Sequence, residues 1–366
     1  MHTRTITQNS NEQINRLRRL GWNEHFESLT AEVELDRVAR VISAQRGRFL
    51  ISNGCNEWLC VPSGNMRHRQ QVYPVTGDWV IANDMVVTQV LPRKNTLSRG
   101  EAGSRGKQEA AARREQPIAA NIDTVFIVCG LDRDYNLRRI ERYIALVYNC
   151  GMAPVVVLTK ADLHASPEPF REEVEATAFG VPVVLTSIRD ESGVSELFSH
   201  LGEGRTVSMI GSSGAGKSTL ANRLQGSEIQ STGAVSESLG KGRHTTTARE
   251  LIAMPCGGLL MDNPGIREIA FAQSGDGLDT TFADIRALAE SCRFADCSHG
   301  HEPGCAVQRA VDSGELSQAR LDSYRKLQRE LNYVQARDEK SADRVERERW
   351  KGVAMEIKRM NKRNKR

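Results

Sequence analysis

Two short motifs occur in an order that restricts the fold more than any other feature of the chain. TKAD, residues 159–162, differs by one residue from the base-reading pattern N-K-x-D. GSSGAGKST, residues 211–219, matches the phosphate-binding pattern G-x-x-x-x-G-K-S in full, between an apolar run and a helical one. A chain that binds one nucleotide must bring both loops to one edge of one sheet. Here the base loop comes first, whereas the phosphate loop ordinarily leads. A sheet survives such a circular permutation because domain termini commonly lie close together. What changes is the segment that leads out of the domain.

The sequence around the motifs has the texture of an open α/β sheet. IDTVFIVCG is an apolar run of the buried-strand type, and LRRIERYIALVYNCG follows with helical spacing and a terminal Gly. PVVVLTKADL, VPVVLTSI, TVSMIGSSGAGKSTLANRL and LLMDNPGI continue the pattern, each an apolar run ending in a polar loop. Strands alternating with helices imply a parallel sheet, whose ligands bind beyond the carboxyl ends of the strands. Every candidate motif falls at such an end.

The residue chemistry assigns roles. Gly211, Gly214 and Gly216 let the backbone turn its N–H groups toward phosphate oxygens, with Ser212, Ser213, Ala215 and Thr219 in the same contact. Lys217 supplies a point charge to the β- and γ-phosphates, and Ser218 offers a hydroxyl to Mg²⁺. Asp262 can hold the metal through water, and Gly265 can sense the γ-phosphate by its N–H. In GKGRHTTTARE a threonine is expected to ligate Mg²⁺ only when the γ-phosphate is present. Thr246 is the first candidate and Thr247 the second; alone, this run would be an ordinary polar loop. Asp162 can accept from guanine N1–H and the 2-amino group together, a donor pair that adenine lacks. Lys160 can lay its stem along the base, Ala161 completes the loop, and Thr159 stands where Asn is usual. Thr186 and Ser187 are expected to wall the base. The ligand is therefore GTP or GDP. Ile266 occupies the place where Ras-like enzymes carry a water-orienting Gln. His244 is the internal candidate for that task, against a plain role as an exposed loop residue. Either way, unaided hydrolysis is expected to be slow.

Other domains flank this sheet. At 366 residues the chain is too long for one ordinary core. Residues 1–33 read as an extension, polar and then weakly helical at INRLRRLGWNEHFESL. Over 34–96, five short runs (RVARVISAQ, RGRFLIS, EWLCVP, DWVIAN, VVTQVLP) alternate and are broken by Gly, Asn and Pro. They predict a small β-barrel of the OB type, a fold that often binds nucleic acid. Residues 97–118 read as a mobile basic linker, with little to bury. The nucleotide domain is placed at 119–279, and a helical domain with a basic tail at 280–366. Within it, CRFADCSHGHEPGC sets Cys292, Cys297, His299 and Cys305 in a C-x4-C-x-H-x5-C spacing, with His301 a rival ligand. Three thiolates and one imidazole make a closed, structural zinc site. The final sixteen residues hold seven Lys or Arg against one Glu, which suits an acidic partner such as RNA. No run approaches the ~18 apolar residues of a membrane span, and MHTRTITQNSNEQ lacks a secretory apolar core, so a cytoplasmic protein is expected.

The arrangement resembles the RsgA family of circularly permuted GTPases, on PVTGDWV, NIDTVFIV, LTKADL, GSSGAGKSTL, GKGRHTTT, DNPGIRE and the Cys/His cluster. The resemblance covers nearly the whole chain. It implies a multidomain α/β protein: an N-terminal OB-type barrel, a circularly permuted P-loop GTPase domain and a C-terminal zinc-binding helical domain. It favours His299 over His301 as the zinc ligand. It further implies late maturation of the small ribosomal subunit, with the subunit and its rRNA as partner, stimulation of hydrolysis by the subunit, and release afterwards. Nothing in the sequence demands a dimer or a membrane. A competing reading is an RNA-binding assembly factor in which nucleotide only sets conformation and turnover is incidental. A general P-loop ATPase is a third reading, and Asp162 argues against it.

Overall fold

The structure is a computed structural model and describes residues 2–30, 34–45, 47–68, 72–99, 116–178, 180–189, 192–226, 249–262, 276–300 and 302–332. The chain divides into two compact units, Met1–Arg99 with Pro117–Ile269, and Gly100–Gln116 with Ala270–Arg366.

The first unit opens with helices α1 (His2–Arg19) and α2 (Glu24–Leu29). α1 starts earlier than the sequence suggested, and no Gly or Pro between residues 2 and 19 interrupts it. Asn23 caps α2 by accepting from the His25 N–H. Leu17, Trp22 and Phe26 pack on Val38, Trp79, Ile81 and Leu91, with the Trp22 and Trp79 rings 4.7 Å apart and nearly perpendicular.

The five expected barrel strands are β1 (Val38–Gln45), β2 (Arg48–Ser52), β3 (Glu57–Pro62), β4 (Trp79–Asn83) and β5 (Val86–Val90), with a short helix α3 (Gly64–His68) between β3 and β4. Pairing runs β1–β2–β3–β5–β4 and returns to β1, which closes the barrel and leaves no open sheet edge within it. Val41, Phe49, Ile51, Cys60, Val80 and Val87 fill its interior. Strands β6 (Thr96–Arg99) and β7 (Gln116–Ala120) pair as a two-stranded sheet, so regular structure reaches into both ends of the segment expected to be linker.

The nucleotide sheet follows as β8 (Thr124–Gly130), α4 (Leu137–Asn149), β9 (Ala153–Thr159), α5 (Glu168–Thr177), β10 (Val183–Leu185), α6 (Val194–Leu197), β11 (Thr206–Ile210), α7 (Lys217–Gln225), β12 (Glu250–Ala253) and β13 (Leu259–Asp262). β10-β9-β8-β11-β13 are parallel, and every residue of β8 is buried, as a central strand of such a sheet requires. From β8 the chain passes to β9 and β10 on one side and returns to β11 on the other. β8 therefore sits at the reversal point where a ligand crevice opens. β12, which the apolar pattern did not mark, runs antiparallel beside β13 and also pairs with β1 through Ser43 and Glu250. One continuous ladder thus links barrel and nucleotide sheet.

Arg40 ties the same junction together. Its buried guanidinium donates to the carbonyls of Gly77 (3.2 Å), Asn121 (2.9 Å) and Leu20, one from the barrel, one from the entry to β8 and one from the end of α1. Burial lowers its pKa to about 10, with Asp123 and Asp78 opposing, so it stays charged at neutral pH.

The second unit holds α8 (Asp276–Thr281), α9 (Ala283–Ala289), α10 (Ala306–Asp312) and α11 (318–332). Phe282 is fully buried against Tyr324, and Arg320 lies over the Phe282 ring while pairing with Asp284 at 2.6 Å. Among the described residues no helix is long and apolar enough to cross a membrane.

Candidate functional site

The phosphate loop leaves β11 at Gly211 and enters α7 at Lys217. Gly211 takes φ +146°, and a Cβ there would lie 2.2 Å from the Val128 carbonyl of β8, so only glycine lets the loop run this close to the sheet. Ala215 is fully buried, Ser213 and Gly214 are exposed, and Ser218 and Thr219 lie exposed in the first turn of α7. Lys217 Nζ donates to the carbonyls of Gly211 (2.8 Å) and Ser212 (2.6 Å), curling the lysine over the loop it serves.

The base loop leaves β9, two strands from β11, and the tertiary structure brings the two together. Thr159 Oγ1 donates to the Ala215 carbonyl at 2.6 Å, and Lys160 Nζ donates to the Gly214 carbonyl at 2.8 Å. The threonine in place of Asn therefore still reaches the phosphate loop. Lys160 adopts φ +61°, a left-handed turn that redirects the chain at the sheet edge. Asp162 accepts from Ser187 Oγ at 3.0 Å, and Arg189 stands 3.9 Å from its other oxygen. Ala161 N–H donates to the Thr186 carbonyl at 3.2 Å, so the loops after β9 and β10 hold each other. Thr186 and Ser187 are both buried. Asp262 ends β13, which is paired with β11. His244, Thr246, Thr247, Gly265 and Ile266 lie outside the described residues.

A third loop had no name in the sequence. Residues 131–136 leave β8, the strand between the other two loops. Asp132 pairs with Lys160 Nζ at 2.6 Å, and this bond, reinforced by the Asp134 N–H, holds its carboxyl below the usual range. Asp134 accepts from Ser212 Oγ, from Arg139 Nη2 at 2.6 Å and from the Gly130 N–H at 3.2 Å. The available signal was two carboxylates directly after a buried strand, a pattern with no motif attached.

In the second unit the ligand atoms of Cys292, Cys297, His299 and Cys305 all lie within 4.8 Å of one another. Tetrahedral zinc, at ~2.3 Å from sulfur, would hold two thiolates about 3.8 Å apart. Cys292 and Cys305 sulfurs are 3.9 Å apart, and each is 3.7 Å from His299 Nδ1. His299 takes φ +57°, a left-handed backbone conformation uncommon outside glycine. The amides of Ala306 and Gln308 donate to Cys292 and Cys305 Sγ at 3.4 and 3.3 Å, as suits thiolates. Burial, with the neighbouring thiols adding to it, pushes Cys297 up to about 11, a direction that a bound cation would oppose. The donor set fits a closed structural zinc. His301 lies outside the described residues.

A family model described as RsgA GTPase matches residues 90–272. Over 353 residues the chain is 40% identical to a protein of Syntrophotalea carbinolica named small ribosomal subunit biogenesis GTPase RsgA, spanning 94% of this chain and 97% of that one. The crystal structure of YjeQ from Thermotoga maritima is similar at a TM-score of 0.59 and 26% identity, over 81% of this chain and 98% of that one. YloQ, described as a circularly permuted GTPase, gives 0.58 and 26% over 82% and 95%.

Proposed function

The chain belongs to the RsgA GTPase family, and from that premise we propose that it hydrolyses GTP in late maturation of the small ribosomal subunit. It binds the subunit with GTP and leaves after hydrolysis. The observation that supports the reading is the pair of bonds from Thr159 and Lys160 to the phosphate loop, which join the base loop to it. The residues 159–162 with Thr186 and Ser187 read guanine. Residues 211–219 hold the phosphates. Ser218, Asp262 and a switch threonine, Thr246 before Thr247, would hold Mg²⁺, which neutralises charge on the β- and γ-phosphates when bound. Gly265 reports the γ-phosphate, and Cys292, Cys297, His299 and Cys305 hold the structural zinc.

Ile266 cannot orient the attacking water, so turnover is slow alone and is stimulated by the subunit, with His244 the internal candidate. The barrel (34–96), the linker (97–118) and the basic end of 280–366 supply the RNA-facing surfaces. The protein acts as a cytoplasmic monomer. Single-turnover hydrolysis with and without small subunits tests this reading. Acceleration by small and not large subunits is expected, and equal rates would sink it. His244→Ala with unchanged stimulated turnover would remove that histidine from the mechanism.

A further inference from the structure

We propose that the loop 131–136 after β8 is a positioning brace for the nucleotide pocket, with Asp134 fixing the phosphate loop through Ser212 and Asp132 fixing Lys160 of the base loop. The proposal rests on the GTPase reading above and deepens it.

Three observations converge. First, β8 lies between β9 and β11 in the sheet, so its loop emerges between the base loop and the phosphate loop. Second, Asp134 is itself held from several sides. One oxygen accepts from both Ser212 Oγ and Arg139 Nη2, the other from the Gly130 N–H, and Arg139 also bonds the Asp134 carbonyl. Its side chain is 14% exposed, which leaves little room for another rotamer. Third, Asp132 reaches the Nζ that also binds the Gly214 carbonyl, so the lysine is gripped from both loops. Gly130 permits this grip, since a Cβ there would lie 2.9 Å from Asp132 Oδ1.

The physical effect is preorganisation. A loop already held in its binding geometry loses less freedom when the nucleotide arrives. Asp132 and Asp134 act through Lys160 and Ser212, so the brace lowers the cost of binding without acting on the chemical step. Its removal should raise KM and speed release while leaving kcat almost untouched. A contact that only supported the fold would instead lower the unfolding midpoint and leave release alone.

The test uses the full chain and a methylanthraniloyl-labelled GDP. Ser212→Ala is expected to speed GDP release about fivefold, the weight of one hydrogen bond, and Asp134→Ala about tenfold, since it frees Ser212, Arg139 and the Gly130 N–H together. Asp134→Ala should raise KM for GTP with kcat held within about twofold. Asp134→Asn, which keeps one acceptor oxygen for the Ser212 hydroxyl but loses the charge, should release GDP faster than the wild type and more slowly than Asp134→Ala. Introduced into Ser212→Ala, Asp134→Ala should cost clearly less than it does alone, because the shared bond is already gone. Unchanged release in Ser212→Ala, or strictly additive effects, would overturn the brace. If Asp134→Ala fails to fold, Asp134→Asn against the wild type decides alone, with unchanged release overturning the brace. A wild-type protein that does not retain the labelled GDP would overturn the GTPase reading, and the brace with it.

Discussion

Between Cys292 and Cys305 four ligand atoms gather within 4.8 Å from fourteen consecutive residues. The nucleotide pocket draws its contacts from far apart: Thr159 to Ala215 across 56 positions, Lys160 to Asp132 across 28, Ser212 to Asp134 across 78. The first site needs only a short turn and an ion to pull its donors together. The second needs a finished sheet, because β8, β9 and β11 must lie side by side before their loops can meet. A local site should therefore fail all at once when its ion is removed. An assembled site should lose function by steps, one contact at a time, while the sheet persists.

The largest effect should come from the zinc cluster. Metal removal by a chelator, or Cys305→Ala, is expected to unfold the segment around 292–305, since structural zinc contributes on the order of 10–16 kcal/mol to such sites. Amide hydrogen exchange should show protection lost there and kept in β8, β9 and β11. Loss in both places would break the contrast between a local and an assembled site. Next is Asp162→Asn, expected to weaken GTP by roughly a thousandfold and to favour xanthine nucleotides, because the changed group no longer accepts two guanine donors. Competition between GTP and XTP measures it. Thr159→Ala removes one bond to the phosphate loop and should raise KM about fivefold, the weight of one ordinary hydrogen bond. Cooperative collapse of binding in that variant would mean that the pocket behaves like the zinc site after all.

The smallest effect is a pH dependence. Bonding to Lys160 depresses the Asp132 carboxyl in the folded protein, so the pair stabilises the fold above the unfolded value of about 4. That contribution disappears as pH falls through the folded value. Unfolding followed from pH 6 downward should show a slightly shallower acid loss in Asp132→Asn than in the wild type, and the pair is too exposed for more.

Much of this was legible in the chain. The five barrel strands fall on the five runs that alternation marked, and TKAD, Thr186 with Ser187, the phosphate loop and Asp262 stand at the ends of their expected strands. Those elements carry strong local signals: alternating burial, Gly-rich turns, apolar runs. β12 escaped because four residues, ELIA, are too few for a period to show, and its pairing with β1 and β13 is a tertiary matter. The start of α1 escaped because a polar stretch without breakers has helical capacity but no apolar stripe to announce it. Asp132 and Asp134 escaped for another reason, since charged residues in a loop look alike until the neighbouring loop is in place.

By itself the sequence determined the chemistry proposed for this protein: the glycine spacing suited to phosphates, the carboxylate suited to guanine, the thiolates that suit zinc and the reversed order that marks a permuted sheet. Those follow from residue type and short spacing, which the chain states directly. Only the tertiary structure decided how far the loops are from one another, that Thr159 reaches Ala215, that Arg40 joins three segments and that the loop after β8 grips both halves of the pocket. Such contacts depend on which strands become neighbours, and neighbour choice is settled by burial summed over the whole sheet, which no short stretch of sequence contains.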